Sequence, residues 1–145
     1  MPAPSLVPVR DPRAFLAGTW AIDRDIHDHR SGQDGTLEGV ATLTPDGDGG
    51  LVWAERGTMR LGGFVGAGTR TTLVRPEADG WVVRFDDGRY FHPLDLATGA
   101  CRVDHPCGED HYAGEIRAEG EGRLVVAWRV VGPAKDHTIV SRYTR

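Results

Sequence analysis

The chain has 145 residues, 17 of them Lys or Arg and 21 of them Asp or Glu, which gives a formal net charge of -4. This length predicts one domain over residues 1–145, and the acidic balance argues against nucleic-acid or anionic-membrane partners. Twenty glycines and nine prolines beside 39% hydrophobic residues indicate a turn-rich globular chain and exclude a helical bundle and a disordered tail.

The N-terminal segment is predicted to form an extended arm over residues 1–10, followed by one short helix. Asp11 before Pro12 is typical of a helix start, and Gly18 predicts the end of the helix. The first twenty residues contain four prolines and lack an apolar run of the length that a signal peptide needs. We therefore expect a soluble, cytoplasmic protein.

Alternating apolar and polar residues after the helix predict a series of short strands. The first three are expected at 20–26, 37–43 and 51–59. The glycine-rich stretch 61–68 is predicted to be a mobile loop or a portal, because it carries two apolar residues that look exposed. Further strands are predicted at 69–75, 81–86, 89–96, 100–105, 112–118, 123–131 and 138–144.

These strands recur at a spacing of roughly 8–12 residues, and the gaps between them are too short for crossover helices. Such a pattern is typical of sequential, antiparallel neighbours. We predict an all-β, up-and-down antiparallel barrel of about 8–10 strands with a short N-terminal helix. Closure removes exposed strand edges, and about eight strands enclose space for one small ligand.

Gly18-Thr19-Trp20, at the start of the first strand, resembles the G-x-W motif of the lipocalins and the wider calycin superfamily. Those proteins are barrels that bind small hydrophobic ligands. The resemblance implies that the tryptophan closes the floor of a ligand-binding barrel. It also implies an arginine from the last strand packed against that tryptophan, for which Arg142 and Arg145 are both available.

Longer segments, at 85–92, 105–110 and 128–136, resemble a family of calycin-like barrels of unknown function. This resemblance implies a fold but does not indicate an activity. The two cysteines, Cys101 and Cys107, do not form the disulfide framework of a small secreted scaffold, which favours a reducing compartment over an extracellular carrier role.

Three charged residues, Arg24, Glu55 and Arg70, lie on strand faces that otherwise carry large apolar side chains. An ionised group buried in a barrel needs a partner or a wet cavity, and the planar fork of arginine suits a ligand carboxylate or phosphate. A shift of one residue in register, which would place all three in solvent, stays open. We predict a small-molecule site lined by Arg24, Trp53, Glu55, Arg70, Phe85, His92, Tyr112 and Trp128.

Two other functions remain open: an enzyme on the same barrel, and an interaction module with a filled core that uses the 62–68 loop. In the enzyme, His105, Asp110 or Glu55 would transfer a proton. His105 and Cys107 have the chemistry of zinc ligands but not the usual paired spacing, so we predict no metal and no other cofactor. Haem stays an alternative with one of four histidines as its ligand: His92, His105, His111 or His137.

Overall fold

A computed structural model describes residues 5–145, which form one short helix and ten strands. Helix α1 spans Pro12–Leu16. The strands are β1 (Gly18–Asp28), β2 (Asp34–Pro45), β3 (Leu51–Leu61), β4 (Phe64–Glu77), β5 (Gly80–Phe85), β6 (Tyr90–Pro93), β7 (Ala100–Cys107), β8 (Asp110–Gly120), β9 (Arg123–Val131) and β10 (Asp136–Thr144).

Helix α1 begins at the position that the sequence predicts. The Asp11 carboxylate accepts hydrogen bonds from the backbone N–H groups of Arg13 (3.0 Å) and Ala14 (3.3 Å), and Pro12 stands in the first turn, where no N–H is needed. Five residues are too few for an independently stable helix, so packing of the buried Leu16 side chain holds it in place. No helix in residues 5–145 is long and apolar enough to span a membrane.

The predicted N-terminal arm is only partly visible, because residues 1–4 lie outside the described part of the chain. Residues 5–10 form neither helix nor strand. The Val7 N–H donates to the Ala118 carbonyl at 2.9 Å, the Val9 N–H donates to the Leu96 carbonyl at 2.8 Å, and the Val9 side chain is buried. The described half of the arm therefore packs against the barrel.

All ten strands form one antiparallel sheet in which neighbours in sequence are neighbours in space, and β1 also pairs with β10. The strand order is β6-β5-β4-β3-β2-β1-β10-β9-β8-β7. In the described chain β6 and β7 are the two edges and share no backbone ladder, although the Cys101 thiol lies 3.6 Å from the Pro93 carbonyl oxygen across the seam. The up-and-down antiparallel barrel is confirmed with ten strands, but it is nearly closed rather than closed.

The predicted mobile loop at 61–68 is wrong. Leu61 pairs with Phe64, so only Gly62-Gly63 forms the turn, and β4 continues from there through Glu77. Gly62 has a φ of 58°, which suits a tight hairpin turn. Sequence reasoning mistook a glycine-rich strand for a loop because glycine is rare in regular strands.

The predicted strand at 89–96 is shorter in the structure, where β6 ends at Pro93. Leu94 and Leu96 follow in an irregular segment and are nevertheless buried. Their burial continues the apolar alternation of a strand beyond the end of β6. Leu94 keeps one hydrogen bond to β5, because its N–H donates to the Trp81 carbonyl at 2.8 Å.

A row of glycines crosses the inner face of three strands, because Gly39 pairs with Gly57 and Gly57 pairs with Gly68. A Cβ atom on Gly39 would lie 2.1 Å from the Arg56 carbonyl oxygen, and one on Gly57 would lie 2.3 Å from the Glu38 carbonyl oxygen. Only glycine allows this close approach. The row therefore marks where the sheet bends toward closure.

The end of the barrel that carries α1 is closed by Trp20, whose side chain is buried and whose indole N–H donates to the Leu16 carbonyl at 2.9 Å. The Arg145 guanidinium carbon lies 4.1 Å from the centroid of the Trp20 ring, and its Nη1 donates to the Ala17 carbonyl at 2.8 Å. Of the two arginines that the G-x-W resemblance offers, Arg145 is thus the one on the tryptophan. Arg142 instead pairs with Asp25 at 2.8 Å.

Candidate ligand-binding site

A cavity of about 380 Å³ lies inside the barrel, toward the end opposite α1. We call it the main cavity. Odd-numbered strands run away from the helix, and the main cavity is lined by residues near their far ends, such as Ile26, Met59 and Val130. Its wall is mostly apolar and aromatic. Five of its polar side chains are Arg24, Arg70, His105, Tyr112 and Ser141.

Three stacked aromatic rings form one wall of the main cavity. The Phe85 and Phe91 rings are 4.5 Å apart at an interplanar angle of 13°, and the Phe91 and Trp128 rings are 5.3 Å apart at 12°. Tyr112 meets Phe91 edge-on, with ring centroids 6.1 Å apart. This arrangement gives the main cavity a flat, polarisable surface suited to another flat apolar group.

Trp128 lies on β9 directly opposite Gly114 on β8. A Cβ atom on Gly114 would lie 2.4 Å from Cε3 of the indole, so the missing side chain allows the ring to lie flat against β8. The position of the indole, and hence the free volume of the main cavity, depends on this glycine.

A second, much smaller space of about 30 Å³ lies deeper in the barrel, nearer α1. We call it the floor chamber. Its volume accommodates a group of the size of a water molecule or a hydroxyl. It shares Arg70, Val126, Trp128 and Tyr143 with the main cavity, so these residues separate the two spaces.

A buried ion-pair network lies between the two spaces. Arg24 Nη2 is 2.7 Å from Glu55 Oε1, and Arg24 Nε donates to Ser141 Oγ at 2.6 Å. The other carboxylate oxygen, Glu55 Oε2, accepts from Trp53 Nε1 at 2.9 Å and from the Tyr143 hydroxyl. Tyr143 in turn accepts from Arg24 Nη2 at 3.0 Å. Both carboxylate oxygens are therefore satisfied by protein donors.

The network raises the pKa values of Tyr143 and Arg24. Burial raises the pKa of Tyr143, and the adjacent Glu55 carboxylate raises it further, so the phenol stays protonated and donates. Burial alone would lower the pKa of Arg24, but Tyr143 and Glu55 reverse that effect and raise it above its usual value. The buried charges of Arg24 and Glu55 thus balance each other.

Arg70 stands apart from this network. It pairs across the strands with Glu55, faces inward, and lines both the main cavity and the floor chamber. Arg70 is nevertheless classed with the exposed residues of the chain. Within residues 5–145 no carboxylate lies within 4.0 Å of its guanidinium, whose central carbon is 5.8 Å from the Phe91 ring centroid.

His92 is a buried polar side chain that lines the floor chamber, and only 5% of its surface is exposed. Its Nδ1 lies 2.7 Å from the Pro93 carbonyl oxygen. A carbonyl only accepts, so Nδ1 carries the proton. Burial lowers the pKa of His92 to about 4, and the positive charge of Arg70 contributes. At neutral pH the imidazole is therefore uncharged, and its Nε2 is an acceptor.

Residues 16–145 match the model of a protein family that is described as a family of unknown function, DUF6314. The chain belongs to this family. No curated protein sequence matches the chain.

Several solved structures share the fold of this DUF6314 barrel. The S-type phycobiliprotein lyase CPES from Guillardia theta superposes with a TM-score of 0.62 at 10% identity, covering 96% of this chain and 93% of the lyase. A redesigned β-barrel, mFAP0, bound to DFHBI, has a TM-score of 0.50 at 15% identity, covering 90% of this chain and 99% of mFAP0. The related mFAP1, also bound to DFHBI, gives 0.50 at 13% identity, covering 93% and 99%. These similarities establish the barrel fold.

The residues predicted to bind a ligand divide between the two spaces of the DUF6314 barrel. The main cavity is lined by Arg24, Arg70, Phe85, Tyr112 and Trp128. The floor chamber is lined by Trp53, Glu55 and His92, together with Arg70 and Trp128.

The three residues predicted as proton-transfer groups do not come together. His105 lines the main cavity, with its ring centroid 5.3 Å from that of Phe91. Glu55 is held in the ion-pair network. Asp110 lies at the start of β8, where its carboxylate is 3.2 Å from Nζ of Lys135.

His105 and Cys107, the residues with zinc-ligand chemistry, both line the main cavity. In the described part of the chain no three or more His, Cys, Asp or Glu side chains are grouped in a way that would hold a metal ion. Both cysteines are free; Cys101 is buried and Cys107 is exposed.

The predicted set of ligand-binding residues omitted several that line the two spaces, among them Thr72, Phe91, Ser141 and Tyr143. Ser141 and Tyr143 alternate with Ile139 on β10, but their role depends on the pairing of β10 with β1, which the sequence does not reveal. Phe91 precedes the inward-facing His92, and strict alternation would place it outside. A register shift between β5 and β6 lets both consecutive side chains be buried.

Proposed function

We propose that this DUF6314 barrel binds one small, largely apolar molecule that carries an anionic group, with the anion held by Arg70. The proposal rests on one observation above all: Arg70 faces a largely apolar cavity and, within residues 5–145, has no carboxylate partner. We keep the cytoplasmic location expected from the sequence as part of the proposal.

The size and lining of the main cavity support small-molecule binding. Ligand sites in proteins are concave and mostly apolar, with a few polar groups that orient the ligand, and their volumes begin at about 300 Å³. The main cavity has about 380 Å³, a stacked aromatic wall and a small number of polar side chains. A flat, aromatic body is the shape that this wall favours.

The contrast between the two inward arginines supports the anionic group. Arg24 has its charge balanced by Glu55 and is locked by three side-chain hydrogen bonds. Arg70 has no such partner in the described chain, and its planar guanidinium offers two parallel N–H donors to a carboxylate or phosphate.

The comparisons support the proposal at the level of the fold. The barrel mFAP0 has the same fold and is bound to DFHBI, so an architecture of this kind accommodates a small molecule. Fold alone does not define the ligand. The enzyme alternative has less support, because Glu55 is held in the ion-pair network and Asp110 lies beside Lys135, which leaves His105 as the candidate that lines the main cavity.

Isothermal titration with 2-naphthoate, an aromatic carboxylate, tests the proposal. We expect one bound molecule per chain. Ile139→Trp fills the main cavity and should weaken binding at least about tenfold, whereas Val140→Trp, on the outer face of the same strand, should leave it unchanged. The proposal fails if 2-naphthoate does not bind, or if a folded Ile139→Trp variant binds it as well as the wild type.

A further inference from the structure

The floor chamber contains two buried polar side chains without a protein hydrogen-bond partner at the relevant atom. His92 uses Nδ1 on the Pro93 carbonyl, which leaves the Nε2 lone pair unpaired among the described residues. The Thr72 side chain is buried in the same wall, and within residues 5–145 its hydroxyl makes no hydrogen bond. Both atoms keep some accessible surface, so an incoming polar group can reach and pair with them.

The other polar atoms that line the chamber are already used. Glu55 accepts from Arg24, Trp53 and Tyr143, and Trp53 Nε1 donates to that carboxylate. An incoming group therefore meets an acceptor at His92, a hydroxyl at Thr72 and, at the border with the main cavity, the Arg70 cation.

We infer that the ligand carries a hydroxyl group in addition to its anion, and that this hydroxyl enters the floor chamber and donates to Nε2 of His92 while the anion contacts Arg70. The inference rests on the proposed function, whose ligand class it narrows to hydroxylated aromatic acids. A hydroxyl fits for two reasons. It has the size that about 30 Å³ accepts, and it both donates to His92 and accepts from Thr72.

The shared wall of the two spaces supports this arrangement. Arg70 lines both of them, and His92 lines the floor chamber beside it. A ligand held at Arg70 in the main cavity thus has its next polar contact at the floor chamber. An apolar acid without a hydroxyl would leave His92 Nε2 unpaired or bonded to a trapped water molecule.

Affinities of matched naphthoates test the inference. We would titrate 2-naphthoate and its 1-hydroxy, 3-hydroxy and 6-hydroxy derivatives, together with the methoxy analogue of the best binder. We expect at least one hydroxy isomer to bind about tenfold more tightly than 2-naphthoate, since one hydrogen bond to a buried acceptor has about that effect. Its methoxy analogue, which cannot donate, should lose that gain.

Variants at His92 separate hydrogen bonding from packing. His92→Leu should remove the advantage of the hydroxy isomer over 2-naphthoate, whereas His92→Gln, which keeps a donor for Pro93 and an acceptor for the ligand, should retain part of it. The inference is overturned if 2-naphthoate binds but no hydroxy isomer gains affinity, or if the gain survives in His92→Leu. Failure of every naphthoate to bind overturns the proposed function itself. If His92→Leu does not fold, the hydroxy and methoxy comparison on the wild type still decides.

Discussion

Glu55 and Arg70 face each other directly across β3 and β4, yet the Glu55 carboxylate bonds Arg24 on β1 and not its cross-strand neighbour. Trp53 and Tyr143 complete the set of donors around that carboxylate. Within residues 5–145, Glu55 therefore balances the charge of Arg24, and no carboxylate balances that of Arg70. We assign a structural role to Arg24 and a binding role to Arg70.

The structural role of the Arg24–Glu55 pair predicts a large loss of stability when either partner is replaced. Removing one member of a buried pair leaves the other charged and unpaired, which costs about 3–5 kcal/mol. We expect losses of that order in the free energy of unfolding by urea for Arg24→Met and Glu55→Gln. The double variant should lose less than the sum of the two, because no uncompensated charge remains.

The exposed pair of Arg142 and Asp25 provides the matched control for this prediction. Arg142→Met removes the same kind of contact at 2.8 Å on the outer surface, where such a pair contributes less than about 1 kcal/mol. Equal losses of unfolding free energy for Arg24→Met and Arg142→Met would show that the buried network has no special role.

The contact of Trp128 with Gly114 predicts that a single methyl group disrupts the aromatic wall. In Gly114→Ala the new Cβ atom would lie 2.4 Å from the indole, so the ring must move toward the main cavity. We expect a loss of about 1–3 kcal/mol in stability, a shifted tryptophan fluorescence maximum and weaker binding of 2-naphthoate. Gly63→Ala is the control, because a Cβ atom there meets nothing within 4 Å. Identical fluorescence and binding in the two variants would contradict the predicted role of Gly114.

The buried neutral His92 predicts a loss of stability in mild acid. Its pKa falls from the ordinary 6.5 to about 4 on folding, so between these values the unfolded chain binds a proton that the folded chain does not. Well above pH 6.5 the free energy of unfolding is not affected by this shift. As the pH falls below 6.5 the free energy of unfolding decreases, by about 3 kcal/mol at pH 4. Urea unfolding at several pH values measures it.

Comparison with His92→Gln separates the pH dependence of stability caused by His92 from that caused by the carboxylates. The free energy of unfolding of the wild type should fall more steeply than that of the variant between pH 6.5 and pH 4, so the two curves converge toward acid. Parallel curves for the two proteins would show that His92 is not buried in its neutral form.

Local patterns in the sequence predicted the up-and-down antiparallel barrel and favoured an inward position for Arg24 and Glu55. Strict alternation places Arg24 with Trp20 and Ile22, and Glu55 with Leu51 and Trp53, as the structure does. Turn residues separate nearly all the strands, so the up-and-down order also follows from local signals.

The hydrogen-bond partners of the inward side chains could not be predicted in the same way, because they depend on which strands are neighbours in the barrel. The closure of β1 onto β10 brings Ser141 and Tyr143 to Arg24, over a sequence separation that no local pattern encodes. Phe91 was missed because a register shift breaks alternation at an edge strand. The glycine-rich stretch was mistaken for a loop because its small residues follow the curvature of the sheet.

The different roles of Arg24 and Arg70 are tested most directly by comparing two probes of nearly the same shape, one anionic and one uncharged. Titrations of 2-naphthoate and of the uncharged 2-naphthamide into wild type and Arg70→Met give four dissociation constants. Arg70→Met should unfold with nearly wild-type free energy, because Arg70 has no salt-bridge partner within residues 5–145.

We predict that the wild type prefers 2-naphthoate over 2-naphthamide by about tenfold or more, a difference of about 1.4 kcal/mol. In Arg70→Met this preference should disappear while the affinity for 2-naphthamide stays the same. An unchanged preference for 2-naphthoate in Arg70→Met, or a wild type that binds both probes equally, would contradict the assignment of Arg70 as the anion-binding residue of this barrel.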